Sequence, residues 1–189
     1  MTFAEVVQLL RRRWWVVALV TAVAALAALG YSLAQPRIYR ATTQVAVVPA
    51  VANWDPKLYL EPRMHLLRAA LLSFPQADPA LPAGLQGRLY VGLVPAEARL
   101  VIEVDDPDPQ QAARLANELA ARLQSWVQDE FNPTQSEGTL TVRVLVPAAV
   151  PASPYSPRSR LNVAAGAILG ALVGLPLAFL WDALRRANR

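Results

Sequence analysis

Two stretches of this chain carry no formal charge, and between them apolar and polar residues either alternate or repeat every three to four positions. The uncharged stretches are residues 14–34 and 161–181, 21 residues each. As helices each would cover about 31 Å, roughly one bilayer hydrocarbon core, so each predicts a membrane span. Trp14, Trp15 and Trp181 stand at the span edges, where interfacial aromatic anchors belong. Pro176 predicts a kink, tolerated in a membrane helix when neighbours or water satisfy the freed carbonyl. Ahead of the first span, Thr2-Phe3-Ala4-Glu5 has capping-box spacing, and Phe3, Val6, Val7 and Leu10 share a face. A short interfacial helix feeding the span is expected there. Ser32-Leu33-Ala34 has the small-x-small form of a signal cleavage site, but the apolar run exceeds the roughly 7–15 residues of a signal core. An uncleaved anchor is the reading.

Between the spans the periodicity changes four times. From Tyr39 to Val48, Ala41, Thr43, Val45 and Val47 alternate with Arg40, Thr42 and Gln44, a first strand. Asp55-Pro56 and Glu61-Pro62 are helix-start signals, and Met64, Leu67 and Leu71 with Leu66, Ala70 and Phe74 form a stripe expected to end near Pro75. Residues 75–87 read as a loop, followed by a strand on Leu89, Val91 and Leu93. Pro95-Ala96-Glu97-Ala98 separates it from Leu100, Ile102 and Val104, giving an antiparallel hairpin. Asp105, Asp106 and Asp108 with Pro107 and Pro109 mark a second helix start, whose face is Ala112, Leu115, Ala116, Leu119, Leu123, Trp126, Val127 and Phe131 before Asn132-Pro133. Leu140, Val142, Val144 and Val146 form the inward face of a fourth strand. The fold class is therefore α+β: two transmembrane helices flanking a β-α-β-β-α-β, ferredoxin-like domain. The organisation is a tail of residues 1–13, a span at 14–34, the α+β domain at 35–160 with a Pro-rich connector at 147–158, a span at 161–181 and a tail of residues 182–189.

Charge changes the picture through its placement. The formal net charge is +4. Arg11, Arg12 and Arg13 against Glu5, and Arg185, Arg186 and Arg189 against Asp182, account for all of it, because the middle balances twelve basic with twelve acidic residues. The positive-inside rule then places both tails in the cytoplasm and the central domain outside, and a nucleic-acid-tracking surface is not expected.

The sequence offers little to catalysis. It has no Cys, one His and one Lys, which removes thiolate chemistry, multi-histidine metal sites and a phosphate-binding Gly-Lys loop. His65 reads as a solvated or packed helix residue, and Asp105, Asp106 and Asp108 read as capping groups rather than cation ligands. No catalytic residue, metal or cofactor is expected. Gly166, Gly170 and Gly174 fall on one ridge of the second span, where a helix can approach closely, either the first span or another subunit. Pro147, Pro151, Pro154 and Pro157 predict an extended connector.

Several local patterns resemble the polysaccharide chain-length determinant family, the Wzz-type co-polymerases. They are Arg11 to Trp15 entering the first span, Tyr39-Arg40-Ala41, and Asp106-Pro107-Asp108-Pro109-Gln110-Gln111-Ala112 leading to Ala116-Asn117-Glu118-Leu119. The last is Ala152-Ser153-Pro154-Tyr155-Ser156-Pro157-Arg158 before the glycine-rich span, similar to that family's proline-glycine signature. The resemblance implies a small member without the long helical extension or a kinase domain, a homo-oligomer of the inner membrane regulating surface polysaccharide length. It also implies a polysaccharide polymerase, or a separate cytoplasmic tyrosine kinase, as partner. The alternative is a membrane-anchored sensor or adaptor whose outer domain binds a ligand and signals through another protein.

Overall fold

The computed structural model describes residues 3–49, 60–132 and 140–187, and the chain divides into two compact units, Met1–Pro36 with Ser156–Arg189, and Arg37–Tyr155. The first unit is a helix pair, α1 (Phe3–Ala34) and α4 (Ser159–Ala187). Both helices are long and apolar enough to cross a membrane, and little of either surface is buried within the chain. At Arg13 the backbone leaves helical geometry (φ −121°, ψ 16°), which separates an initial segment from the apolar run. α4 continues through Pro176.

The second unit contains β1 (Tyr39–Pro49), α2 (Glu61–Ala77), β2 (Leu89–Val94), β3 (Arg99–Asp106), α3 (Pro109–Trp126) and β4 (Leu140–Val146). The sheet order is β2-β3-β1-β4, with every neighbouring pair antiparallel. Period-two patterning sets the register: Ala41 faces Val104, Thr43 faces Ile102 and Val45 faces Leu100 across β1 and β3. These side chains are all buried, together with Met64, Leu67 and Leu71 of α2 and Ala112, Leu115, Ala116, Leu119 and Leu123 of α3. Buried area of this kind, at about 25 cal/mol per Å², is the main favourable contribution to holding the unit together. Thr43, the polar member of the inward row, donates its hydroxyl to the Val146 carbonyl at 2.9 Å and so is buried without an unmet hydrogen bond.

Four local expectations are corrected. α2 does not end at Pro75 but runs to Ala77, because a proline removes only its own amide bond and the last turn closes through Asp78 N–H on the Phe74 carbonyl at 3.0 Å. Leu66, assigned to the inward stripe of α2, is exposed, since the i, i+3, i+7 row of Met64, Leu67 and Leu71 already fills the interface. On β4 only Leu140 and Val142 are buried, while Val144 and Val146 are exposed. Val144 still pairs with the buried Val45, and a register shift between Gln44 and Val45 interrupts the alternation only beyond it, before Val146. The expected loop of residues 75–87 contains the end of α2 and the start of a 3₁₀ turn, Leu85–Arg88, entered through Gly84 at φ 80°. The helix-start signal at Asp55-Pro56 and the Pro133 stop lie outside the described residues.

Candidate functional site

Among the described residues no pair of acid and base marks a reaction centre, and the unusual contacts concentrate in two places. The first concentration is the seam between α1 and α4. A Cβ placed on Gly166 would lie 2.8 Å from Ala28 Cβ and 2.9 Å from the Ala24 carbonyl oxygen. On Gly170 it would lie 2.8 Å from both Ala24 Cβ and Thr21 Cα, and on Gly174 3.0 Å from Val17 Cα. Missing side chains thus allow backbone-to-backbone approach, which supplies dispersion contacts along the seam. As α4 advances from Gly166 to Gly174 its partner on α1 retreats from Ala28 to Val17, so the helices are antiparallel and both chain ends lie at one end of the pair.

Polar contacts close the two ends of this seam. Asn162 Nδ2 donates to Ser32 Oγ at 2.8 Å, and Ser32 is buried. At the other end the Arg13 guanidinium lies 3.5 Å from an Asp182 carboxylate oxygen, both side chains nine-tenths or nearly so removed from solvent. Of the expected topology anchors, Arg13 is therefore in an ion pair, whereas Arg11 and Arg12 are exposed. The side chains of Arg185 and Arg186, on the last turns of α4, lie outside the described ones.

The second concentration surrounds Arg40 on the sheet face opposite the helices. Its Nε and Nη2 donate to the two carboxylate oxygens of Asp105 at 2.6 and 2.7 Å, and Nη1 donates to Glu103 at 3.0 Å. The guanidinium carbon sits 3.9 Å from the Tyr155 ring centroid and 4.8 Å from that of Tyr90. The hydrogen bond to Asp105 pushes the Arg40 pKa above its already high ordinary value, against a smaller opposing effect of burial. Bidentate pairing and ring stacking both use the planar guanidinium, which lysine lacks. Tyr155 is held further by its backbone N–H, which donates to the Ile38 carbonyl at 2.8 Å.

The connector is also fastened at its start. Asn117 on α3 donates from Nδ2 to the Ala148 carbonyl at 3.0 Å and accepts from the Ala148 N–H at 2.8 Å. The Pro-rich segment carries no helix, with Pro151 half-buried and Pro154 exposed, and Pro157 opens the approach to α4. Of the three aspartates read together as caps, only Asp108 caps α3, accepting from Gln110 N–H at 2.9 Å. Asp106 is buried against Arg88 at 2.6 Å and accepts the Asp108 N–H, and Asp105 pairs with Arg40. Strand alternation decides this: Asp105 points to the open face and Asp106 to the covered one.

The joining of Tyr39-Arg40-Ala41, Asp105 and Tyr155 was not legible in spacing, because 115 positions separate Arg40 from Tyr155. An arginine in a strand facing acidic residues on the expected β3 was the available signal. Among the described residues no cluster of three or more metal-ligating side chains occurs, and His65 is exposed on α2.

Comparison with known proteins adds two findings. Residues 1–70 match the family described as "Wzz: Chain length determinant protein". A solved structure described as "full-length bacterial polysaccharide co-polymerase" shares the fold over 99% of this chain and 99% of its own, with a TM-score of 0.54 and 13% sequence identity. No curated protein matches the chain.

Proposed function

We propose, from the family match over residues 1–70, beside a shared fold, that this chain is a Wzz-type member of the chain length determinant family and regulates the chain length of a surface polysaccharide without catalysing a reaction. The observation that carries this reading is the family match over residues 1–70, which takes in the whole of α1 and β1. In this reading residues 14–34 and 161–181 cross the inner membrane, the tails of residues 1–13 and 182–189 are cytoplasmic, and residues 35–160 form the outer domain. The β-α-β-β-α-β order with β1 and β3 central fits a ferredoxin-like arrangement. The protein acts as a homo-oligomer on a polysaccharide polymerase, or beside a separate cytoplasmic tyrosine kinase, with Gly166, Gly170 and Gly174 serving helix packing. The charged groups around Arg40 and Arg88 meet as ion pairs that fix the sheet, a structural use of charge in keeping with this reading.

Deletion of the gene tests the reading. Gel separation of surface polysaccharide should show polymer still made but its preferred length distribution lost, and restored by the intact chain. Unchanged lengths would overturn it, and complete loss of polymer at normal expression of the neighbouring enzymes would assign an assembly role instead.

A further inference from the structure

A cavity of about 360 Å³ opens between the C-terminal ends of α2 and α3, lined by Phe74, Asp78, Arg122, Trp126, Asp129 and Glu130 among others. It lies at the lower end of the size range of small-molecule sites. Its lining combines aromatic and charged side chains. Trp126 meets Phe74 edge-on at 6.3 Å and Phe131 at 5.6 Å, so the indole is braced from two sides and presents a fixed aromatic wall. One turn before it on the same face of α3, Arg122 is bound to Asp78 and to Glu118, and Asp78 in turn accepts the Ala80 N–H at 2.8 Å. The guanidinium is thereby pre-set in position before any ligand arrives. Past Trp126 the helix does not continue regularly: α3 passes into a π-helical turn, Val127–Phe131. Such turns are rare and recur at functional sites, because the extra residue redirects side chains. Here the turn carries Asp129 and Glu130 to the rim, both exposed.

From this arrangement we infer that the cavity binds one ring of a saccharide, neutral or amino-bearing. An aromatic wall packs against the C–H face of a sugar ring, carboxylates accept from its hydroxyls, and a fixed guanidinium donates to a hydroxyl or ring oxygen. With three carboxylates facing one guanidinium, the lining is acidic on balance, so an ammonium substituent is favoured, by charge and by the indole, and a uronate is repelled. The inference rests on the polysaccharide reading above for its biological ligand but not for its chemistry.

The test uses the full chain in a detergent without a sugar headgroup, with ¹⁵N-labelled tryptophan and the Trp126 indole signal assigned by Trp126→Phe. Maltotriose, a glucosamine trisaccharide and trigalacturonate are titrated separately. The Trp126 signal should move with the first two, with half-saturation in the millimolar range (about −4 kcal/mol at 1 mM), and at least about tenfold more weakly with trigalacturonate. The exposed Asp129→Asn should weaken glucosamine binding about threefold or more while leaving the unfolding temperature unchanged. No movement with any trisaccharide, or equal response to trigalacturonate, overturns the inference. A silent titration alongside normal length control removes the cavity and leaves the regulatory reading standing. Binding by a chain whose deletion leaves polymer lengths unchanged does the reverse.

Discussion

At the scale of single residues, Arg40 is a group on which the α+β unit concentrates its contacts. Three charge-assisted hydrogen bonds and two aromatic faces converge on one side chain that is 20% exposed. Removing it strands Asp105, itself largely buried, so Arg40→Ala should cost about 2–4 kcal/mol, read as a lower unfolding temperature. Arg40→Lys should recover little of this, since a lysine neither chelates the carboxylate nor stacks between the rings. Near-full recovery by lysine would reduce the cluster to simple charge pairing. Because folding raises the Arg40 pKa, its contribution is present below the unfolded value and lost only as pH climbs through the folded one. Unfolding temperature should therefore show no loss from this group between neutral pH and about pH 10. Asn117 acts through two bonds to one peptide unit, and Asn117→Ala leaves the half-exposed connector start unpinned, at a cost of about 1–3 kcal/mol.

At the scale of elements, the helix pair depends on three glycines whose replacements should rank by what each new Cβ meets. Gly166 and Gly170 face atoms at 2.8 Å, including the backbone of α1 at Gly170, while Gly174 faces its nearest atom at 3.0 Å. Backbone cannot swing aside, so Gly170→Leu should destabilise the pair by about 1–3 kcal/mol or more and Gly174→Ala by less. Heat-induced aggregation of the solubilised chain would measure the order, and equal tolerance of both changes would show that the seam does not hold the pair. If regulation requires the pair, Gly170→Leu should also broaden polymer lengths while polymer is still made. α3 shows the opposite economy: its inward row is small near the N-terminus (Ala112, Ala116) and large toward Leu119 and Leu123, which lets it lie close against β1 and β3.

At the scale of the whole molecule, the antiparallel pair of α1 and α4 sets the ends of the two helices together, and in the proposed topology the arginines at the two tails choose the side. Cysteine introduced at the exposed Gln76 should react with an impermeant reagent added to spheroplasts, and cysteine in place of the exposed Arg12 should not. Labelling of the Arg12 position in sealed spheroplasts would invert the topology. A mature protein beginning at Met1 is expected from purified membranes, whereas one beginning at Gln35 would mean that the first apolar run is a cleaved leader.

The sequence by itself determined whatever depends on local period and composition. The two uncharged runs, the four alternating segments, the capping of α3 by Asp108 and the glycine ridge are each written within a few turns or strand residues, so short-range sterics and solvent preference suffice to read them. Tertiary structure alone decided where those segments meet. Whether the ridge faced α1 depended on the antiparallel fit of two helices 130 residues apart, as the bond between Ser32 and Asn162 does. The exposure of Val144, which still pairs with the buried Val45, and the register shift that separates it from Val146 are encoded by no pattern within β4. The split of Asp105 from Asp106 followed from which sheet face the helices cover, and the closing of Tyr155 over Arg40 from the return of the connector beside Ile38. Period marks which side chains share a face; only the packed fold decides what that face is set against.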